Sequence, residues 1–165
     1  QSLLSGLAEG QLDMAVLSGF GVELGKGLDS RVTLSDPCMV MISASHPLAA
    51  KKEIHPRELK GMPIVLNRAQ DSQPSAGLIA GMYANMGLRE NKRMYADDFY
   101  SIALIINTGI AFSIMPASVA CWGIDGVVFR PVQGFKAKAR TLLVYPRGSQ
   151  DTGIQSFVSL IRPKR

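Results

Sequence analysis

Residues 3–19 read Leu3-Leu4-Ser5-Gly6-Leu7-Ala8-Glu9-Gly10-Gln11-Leu12-Asp13-Met14-Ala15-Val16-Leu17-Ser18-Gly19, and their order decides the fold class. Leu3, Leu4, Leu7 and Ala8 recur at helical spacing and predict a short amphipathic helix that Gly10 stops. Leu12–Leu17 is a short apolar run that predicts a buried strand ending at Ser18-Gly19. A helix followed directly by a buried strand is half of a βαβ unit. The strand before the helix is missing from the sequence, and a parallel strand needs a neighbour on its sheet. The natural domain is therefore expected to begin before Gln1, and an opening on Gln rather than Met agrees with that.

The same alternation extends outward. Gly21–Asp29 reads as a loop, and Arg31–Leu34 and Met39–Ser43 as two strands with a turn at Asp36-Pro37. A short helix at Pro56–Leu59 precedes a buried strand at Ile64–Leu66. A helix capped at Ser75 or a neighbour carries Leu78, Ile79, Met82, Tyr83 and Met86 and ends at Gly87. A strand at Arg93–Ala96 then leads to a helix at Ile102–Asn107. Ser101 is a candidate cap for that helix, as are Asp97 and Asp98. Strands follow at Ile110–Met115, Val127–Phe129 and Thr141–Tyr145, with prolines at or near their ends. The closing helix sets Ile154, Phe157, Val158 and Ile161 on one face. Helices lie between strands throughout, so the class is α/β.

Composition bounds the function. The chain has 165 residues, enough for one ordinary domain or two small lobes. Apolar residues make up 47% and charged residues 19%, which supplies a core and excludes global disorder. Lys plus Arg is 18 against 13 Asp plus Glu, a net charge of +5 that is too weak and scattered to argue for nucleic acid by itself. Cys38 and Cys121 have no close Cys or His partner in sequence and read as two buried reduced thiols, which points weakly to the cytoplasm. No run approaches a membrane span, and nothing at the start resembles a signal peptide. His46 and His55 have neither metal-ligand spacing nor a nucleophile motif nearby, so no metal, cofactor or catalytic residue is expected. The tail 162–165 reads as a frayed, solvated end.

In open α/β sheets, ligands bind beyond the carboxyl ends of the strands, where loops lead into helices. That rule selects Ser18-Gly19-Phe20, Leu66-Asn67-Arg68, Asp98-Phe99-Tyr100 and the turn after Met115. The polar segment 71–75 reads as a further loop, whose serines are candidates to touch a ligand at the helix start.

Several motifs, taken in order, resemble the effector-binding domain of LysR-type transcriptional regulators. They are Glu9-Gly10-Gln11-Leu12-Asp13-Met14-Ala15-Val16, His46-Pro47-Leu48-Ala49, Glu58-Leu59 before Pro63-Ile64-Val65, and Ile106-Asn107-Thr108-Gly109-Ile110-Ala111-Phe112-Ser113-Ile114-Met115-Pro116. Val127-Val128-Phe129-Arg130-Pro131-Val132 and the Phe157 helix continue the match, which covers essentially the whole chain. Ala111 departs from it, standing where the family usually has a second glycine. The family's first strand, helix and second strand, its helix-turn-helix and its linker helix have no counterpart here.

The resemblance implies two Rossmann-like α/β lobes around a cleft, in the type 2 periplasmic-binding-protein-like arrangement, with the first lobe incomplete at its N-terminus. Its first lobe would hold residues 1–44 and 150–165 and its second 45–149. The family binds small metabolites, often carboxylates or amino-acid derivatives, and responds by shifting a homodimer or homotetramer. On that basis the ligand contacts are Ser18, Gly19, Leu66, Asn67, Arg68, Asp98 and Phe99. Ser18 offers a hydroxyl, Asn67 an amide and Arg68 a fork of paired donors suited to a carboxylate. Phe99 would wall an apolar part of the effector, and the helix 75–86 is a candidate contributor to the dimer. DNA would be met only through the absent helix-turn-helix. The rival reading is a transporter's solute-binding protein with the same fold; an enzyme would need a convergent catalytic set, and none is seen. The first lobe's sheet is also expected to keep an unpaired strand edge.

Overall fold

The computed structural model describes residues 2–19, 22–71 and 75–161. Phe20, the serine-bearing segment 72–74 and the tail 162–165 lie outside the described residues. The chain divides into two compact units, Gln1–Ser35 with Ala139–Arg165, and Asp36–Lys138. The division falls within one strand and at the start of another, whereas the sequence marks turns near 44 and 149. The first crossing stands beside Asp36-Pro37, which the sequence presents as a turn between two strands and not as a boundary between units.

In the first unit, α1 (Leu3–Ala8) is capped by Ser2, whose hydroxyl accepts from the Ser5 N–H. Its end explains why the following strand starts later than its apolar run. Gly10 takes φ +70, its N–H donates to Leu7 O at 3.3 Å, and Gln11 N–H donates to Gly6 O at 2.8 Å. This Schellman pattern holds residues 10–12 against the helix, and Leu12 packs over Gly6. Strand β1 is accordingly Ala15–Ser18 rather than Leu12–Leu17. It pairs antiparallel with the late part of β7 (Lys138–Pro146), from Ala15↔Val144 to Ser18↔Thr141. The expected parallel neighbour is not found among the described residues, and the other edge of β1 has no partner there. Leu7, Ala15, Leu28 and Val144 form this unit's core cluster. Strand β2 (Leu28–Ser43) contributes Leu28 to it, and Arg31 Nη1 donates to the Val158 carbonyl on the closing helix α5 (Thr152–Leu160). Asp151 caps that helix by accepting from Gly153 and Ile154. Of its expected apolar face, Ile154 is buried while Phe157 is exposed.

Strand β2 corrects the expectation of two strands and a turn, since residues 28–43 are one continuous strand. Pro37 stands just before the ladder with β5 (Ser113–Pro116), which begins at Cys38↔Pro116, so its missing N–H breaks no bond of that ladder. Asp36 is buried because its carboxylate accepts from Ser118 N–H at 2.7 Å, at the start of the 3-10 turn Ala117–Trp122. That turn also exposes Cys121, which corrects its expected burial, while Cys38 is buried.

The second unit contains a parallel pair, β3 (Ile64–Asn67) and β4 (Arg93–Ala96), in register from Ile64↔Arg93 to Asn67↔Ala96. Phe112 extends this parallel set through a bridge to Ile64. Strand β6 (Val127–Arg130) lies antiparallel to β2. Helix α4 (Phe99–Asn107) buries Ile102, Ala103 and Ile106, a one-face pattern of spacing one and four, against Met41, Val65, Ala96 and Ala111. Gly109 adopts φ +82, whereas no non-glycine among the described residues has positive φ. One glycine therefore suffices in this turn, and fully buried Ala111 fills the core instead. Both histidines are caps, as His46 Nδ1 accepts from Leu48 N–H and His55 Nδ1 from Arg57 N–H, each at 3.1 Å. No helix among the described residues is long and apolar enough to cross a membrane.

Candidate functional site

The carboxyl ends of β3 and β4 bring together Leu66, Asn67, Arg68, Asp98 and Phe99, all in the second unit. They meet because the strands are parallel and in register, so each chain leaves the sheet at the same end and turns into a helix. Asn67 starts α2 (Arg68–Asp71) by accepting from Ala69 N–H at 2.8 Å. That bond uses its side-chain carbonyl and leaves the amide hydrogens to other acceptors.

Arg68 is the exposed cation of this corner. Its Nε donates to Asp97 Oδ1 at 2.8 Å, with side chains 64% and 78% exposed. Its guanidinium carbon stands 5.9 Å from the Tyr95 ring centroid. Tyr95 reaches this position because it is opposite Leu66 in the register. An exposed pair of this kind contributes about 0–1 kcal/mol, so it orients the side chain far more than it stabilises the fold. Neither Asp97 nor Tyr95 was among the expected contacts; the signal for both was the strand register, which the sequence does not print.

Of the three expected cap candidates, Asp98 is the N-cap of α4, while Ser101 lies inside its first turn. Its carboxylate accepts from the Ser101 hydroxyl at 2.6 Å and from Ser101 N–H at 2.9 Å. The Ser101 hydroxyl bond, followed by the backbone bond, holds the Asp98 carboxyl below its usual range. Phe99 packs edge-on against Trp122, with centroids 4.8 Å apart at 80°, and on the core of the second unit. Leu66 and Asn67 also line a depression with Ala76, Ile79, Ala80, Tyr83 and Arg93 under α3 (Ala76–Asn85). Ser75 caps α3 without a side-chain hydrogen bond. Buried Tyr83 accepts from Ile114 N–H at 3.1 Å, and burial pushes its hydroxyl up to about 12.

Ser18 and Gly19 belong to the first unit, at the end of β1. Ser18 is exposed. Gly19 N–H donates to Arg140 O at 2.7 Å, and a Cβ there would meet Leu142 Cγ at 2.9 Å. The close approach of the Leu142 side chain and the Arg140 carbonyl thus favours glycine at this position. The turn after Met115, also expected at a strand end, is spent on the Asp36–Ser118 contact. Among the described residues, no three His, Cys, Asp or Glu groups cluster as a metal site.

The model of the LysR substrate binding domain matches residues 1–165. The hca operon transcriptional activator HcaR of Escherichia coli (strain K12) is 21% identical over 137 residues, covering 83% of this chain and 46% of that protein. The HTH-type transcriptional regulator BudR of Raoultella terrigena is 20% identical over 163 residues, covering 96% of this chain and 54% of BudR. The chain thus spans about half the length of these curated relatives. Among solved structures, the BenM effector binding domain with its effector benzoate superposes with TM-score 0.79 at 18% identity, covering 96% of this chain and 71% of that one. Full-length CbnR complexed with its target DNA gives TM-score 0.78 at 18% identity, covering 96% and 53%. Likeness at this level establishes the fold, the type 2 periplasmic-binding-protein-like arrangement of LysR effector-binding domains. Together with the match over its whole length, it shows that the chain belongs to the LysR substrate binding domain family.

Proposed function

We propose that this chain senses a small metabolite for a LysR-type bacterial transcriptional regulator, and that the metabolite is a carboxylate or amino-acid-like compound. The observation that carries the reading is the convergence of Asn67 and Arg68 with Asp98 and Phe99 at the carboxyl ends of parallel β3 and β4. There Asn67 offers an amide and Arg68 an exposed guanidinium, donors suited to an organic anion. Ser18 and Gly19 are the contacts proposed on the first unit. Gln1–Ser35 with Ala139–Arg165, and Asp36–Lys138, stand for the two lobes that the sequence assigned to 1–44 with 150–165 and to 45–149. The names of the relatives favour a regulator over a transporter's solute-binding protein, and a sensor over an enzyme. The whole protein would act in the cytoplasm and meet DNA through a helix-turn-helix domain outside this chain, a reading supported by relatives named as HTH-type regulators.

Effector binding would work by population shift, favouring one arrangement of a homodimer or homotetramer. Support for self-association comes from α4, where Tyr100 and Leu104 are each 70% exposed, and from neighbouring Trp122 at 62%. The helix 75–86 stays a second candidate contributor, with Leu78 exposed on it while Tyr83 and Met86 are buried.

A thermal-shift screen against small carboxylates, aromatic acids and amino-acid metabolites tests the reading. A compound at 100 times its Kd adds about 2.7 kcal/mol to stability and raises the melting temperature. The shift is expected to vanish in Arg68→Ala. A hit that stabilises Arg68→Ala as strongly as the unmodified protein removes Arg68 from the site, and turnover of a tested compound makes the chain an enzyme.

A further inference from the structure

Arg68 is held on two sides. Asp97 takes its Nε–H at 2.8 Å, and Tyr95 stands 5.9 Å beneath the guanidinium. Among the described residues no other acceptor meets Arg68, so the donors on Nη1 and Nη2 remain for a ligand. A guanidinium carries five N–H donors in a fixed plane. An acid on Nε occupies one edge of that plane and leaves the Nη1/Nη2 edge as the two-donor face. The guanidinium carbon stands over the Tyr95 ring, a cation–π contact in which Arg is preferred over Lys. Both partners are placed by β4: Tyr95 is its third residue and Asp97 follows its last. Arg68 follows directly on β3, so the parallel register brings the three together.

We propose that Asp97 and Tyr95 are positioning residues for anion recognition at Arg68, fixing the guanidinium so that its Nη1/Nη2 edge meets a planar two-oxygen anion. This rests on the reading of Arg68 as the anion contact. The sign of the expected effect separates position from charge. Asp97 is itself an anion beside the proposed site, so removing its charge alone favours a bound carboxylate. A loss of affinity on removing Asp97 therefore reports lost positioning. Asp97→Asn keeps a carbonyl oxygen for Nε–H while discarding the charge, and it is expected to bind at least as tightly as the unmodified protein. Asp97→Ala discards both and is expected to bind about fivefold more weakly, the upper end for an exposed pair.

The test is a titration followed by NMR in arginine-labelled protein, with the Arg68 Nε–Hε signal assigned by its loss in Arg68→Lys. The probes are sodium benzoate and sodium acetate, each against sodium chloride at equal ionic strength. The unmodified protein is expected to show a saturable shift at Arg68, weakened in Asp97→Ala, restored in Asp97→Asn, and weakened again in Tyr95→Leu. Equal affinities in Asp97→Ala and the unmodified protein overturn the positioning role while leaving Arg68 as the anion contact. Absence of any saturable shift at Arg68 in the unmodified protein overturns that contact as well.

Discussion

Tyr83 shows how one polar atom is accommodated inside the second unit. Its ring meets Phe112 edge-on, with centroids 6.3 Å apart, and its hydroxyl takes the N–H of Ile114 on β5. Burial, the largest cause, disfavours the phenolate and raises the group to about 12. A raised folded value means the folded state binds more protons than the unfolded chain above the ordinary value of 10. The contribution is thus fully present below pH 10 and is lost as pH rises towards 12, by at most about 1.4 kcal/mol per pH unit. Urea denaturation across that window is expected to show this loss, and Tyr83→Phe to flatten it while lowering stability at neutral pH, because Ile114 N–H loses its acceptor. An identical alkaline slope in Tyr83→Phe contradicts the assignment. The sequence made Tyr83 a core-facing helix residue through its spacing with Ile79 and Met86. It could not supply the hydroxyl's partner, which comes from a strand thirty-one positions later.

Helix α4 depends on its first turn as much as on its apolar face. Asp98 accepts two bonds from Ser101, meeting a backbone donor that would otherwise have no partner in the helix. Its carboxyl is lowered below the ordinary value, so its contribution is present above the unfolded value and is lost as pH falls through the folded one. Asp98→Ala is expected to melt at lower temperature at neutral pH and to lose less on acidification. Asp98→Asn retains an acceptor and is expected to recover most of the neutral-pH stability. Equal melting of Asp98→Ala and the unmodified protein at neutral pH contradicts the cap. The elements themselves were unevenly legible. Arg93–Ala96 reads correctly because a polar–apolar strand run ends at an Asp pair, and Ile102–Asn107 reads as helix because its buried positions repeat at helical spacing, although α4 starts earlier, at Phe99. Strand β2 misled because Asp36-Pro37 is ordinary turn chemistry, and only the distant Ser118 N–H gives Asp36 a reason to be buried within a strand. Cys121 misled because apolar neighbours in sequence do not reveal the outward face of a 3-10 turn.

For the molecule as a whole, the α/β class follows from alternating elements, while the pairing does not. The sequence suggested a parallel partner for β1, and its described partner is antiparallel β7, more than a hundred residues away. The candidate site was legible where it follows a local rule. Asn67 ends one parallel strand and Arg68 follows it, and Asp98 and Phe99 follow another. Asp97 and Tyr95 escaped because their meeting with Arg68 depends on register across the sheet. What unites the second unit is therefore the carboxyl-end corner of β3 and β4, where the backbone supplies proximity and Arg68 supplies charge. The most direct measurement is amide chemical-shift mapping with the strongest carboxylate found by the thermal-shift screen. The largest perturbations are expected in the second unit at residues 66–69 and 97–99. Perturbations confined to the outer face of α4 or to residues 76–83 of α3, with 66–69 and 97–99 unmoved, would place the ligand elsewhere and contradict the account.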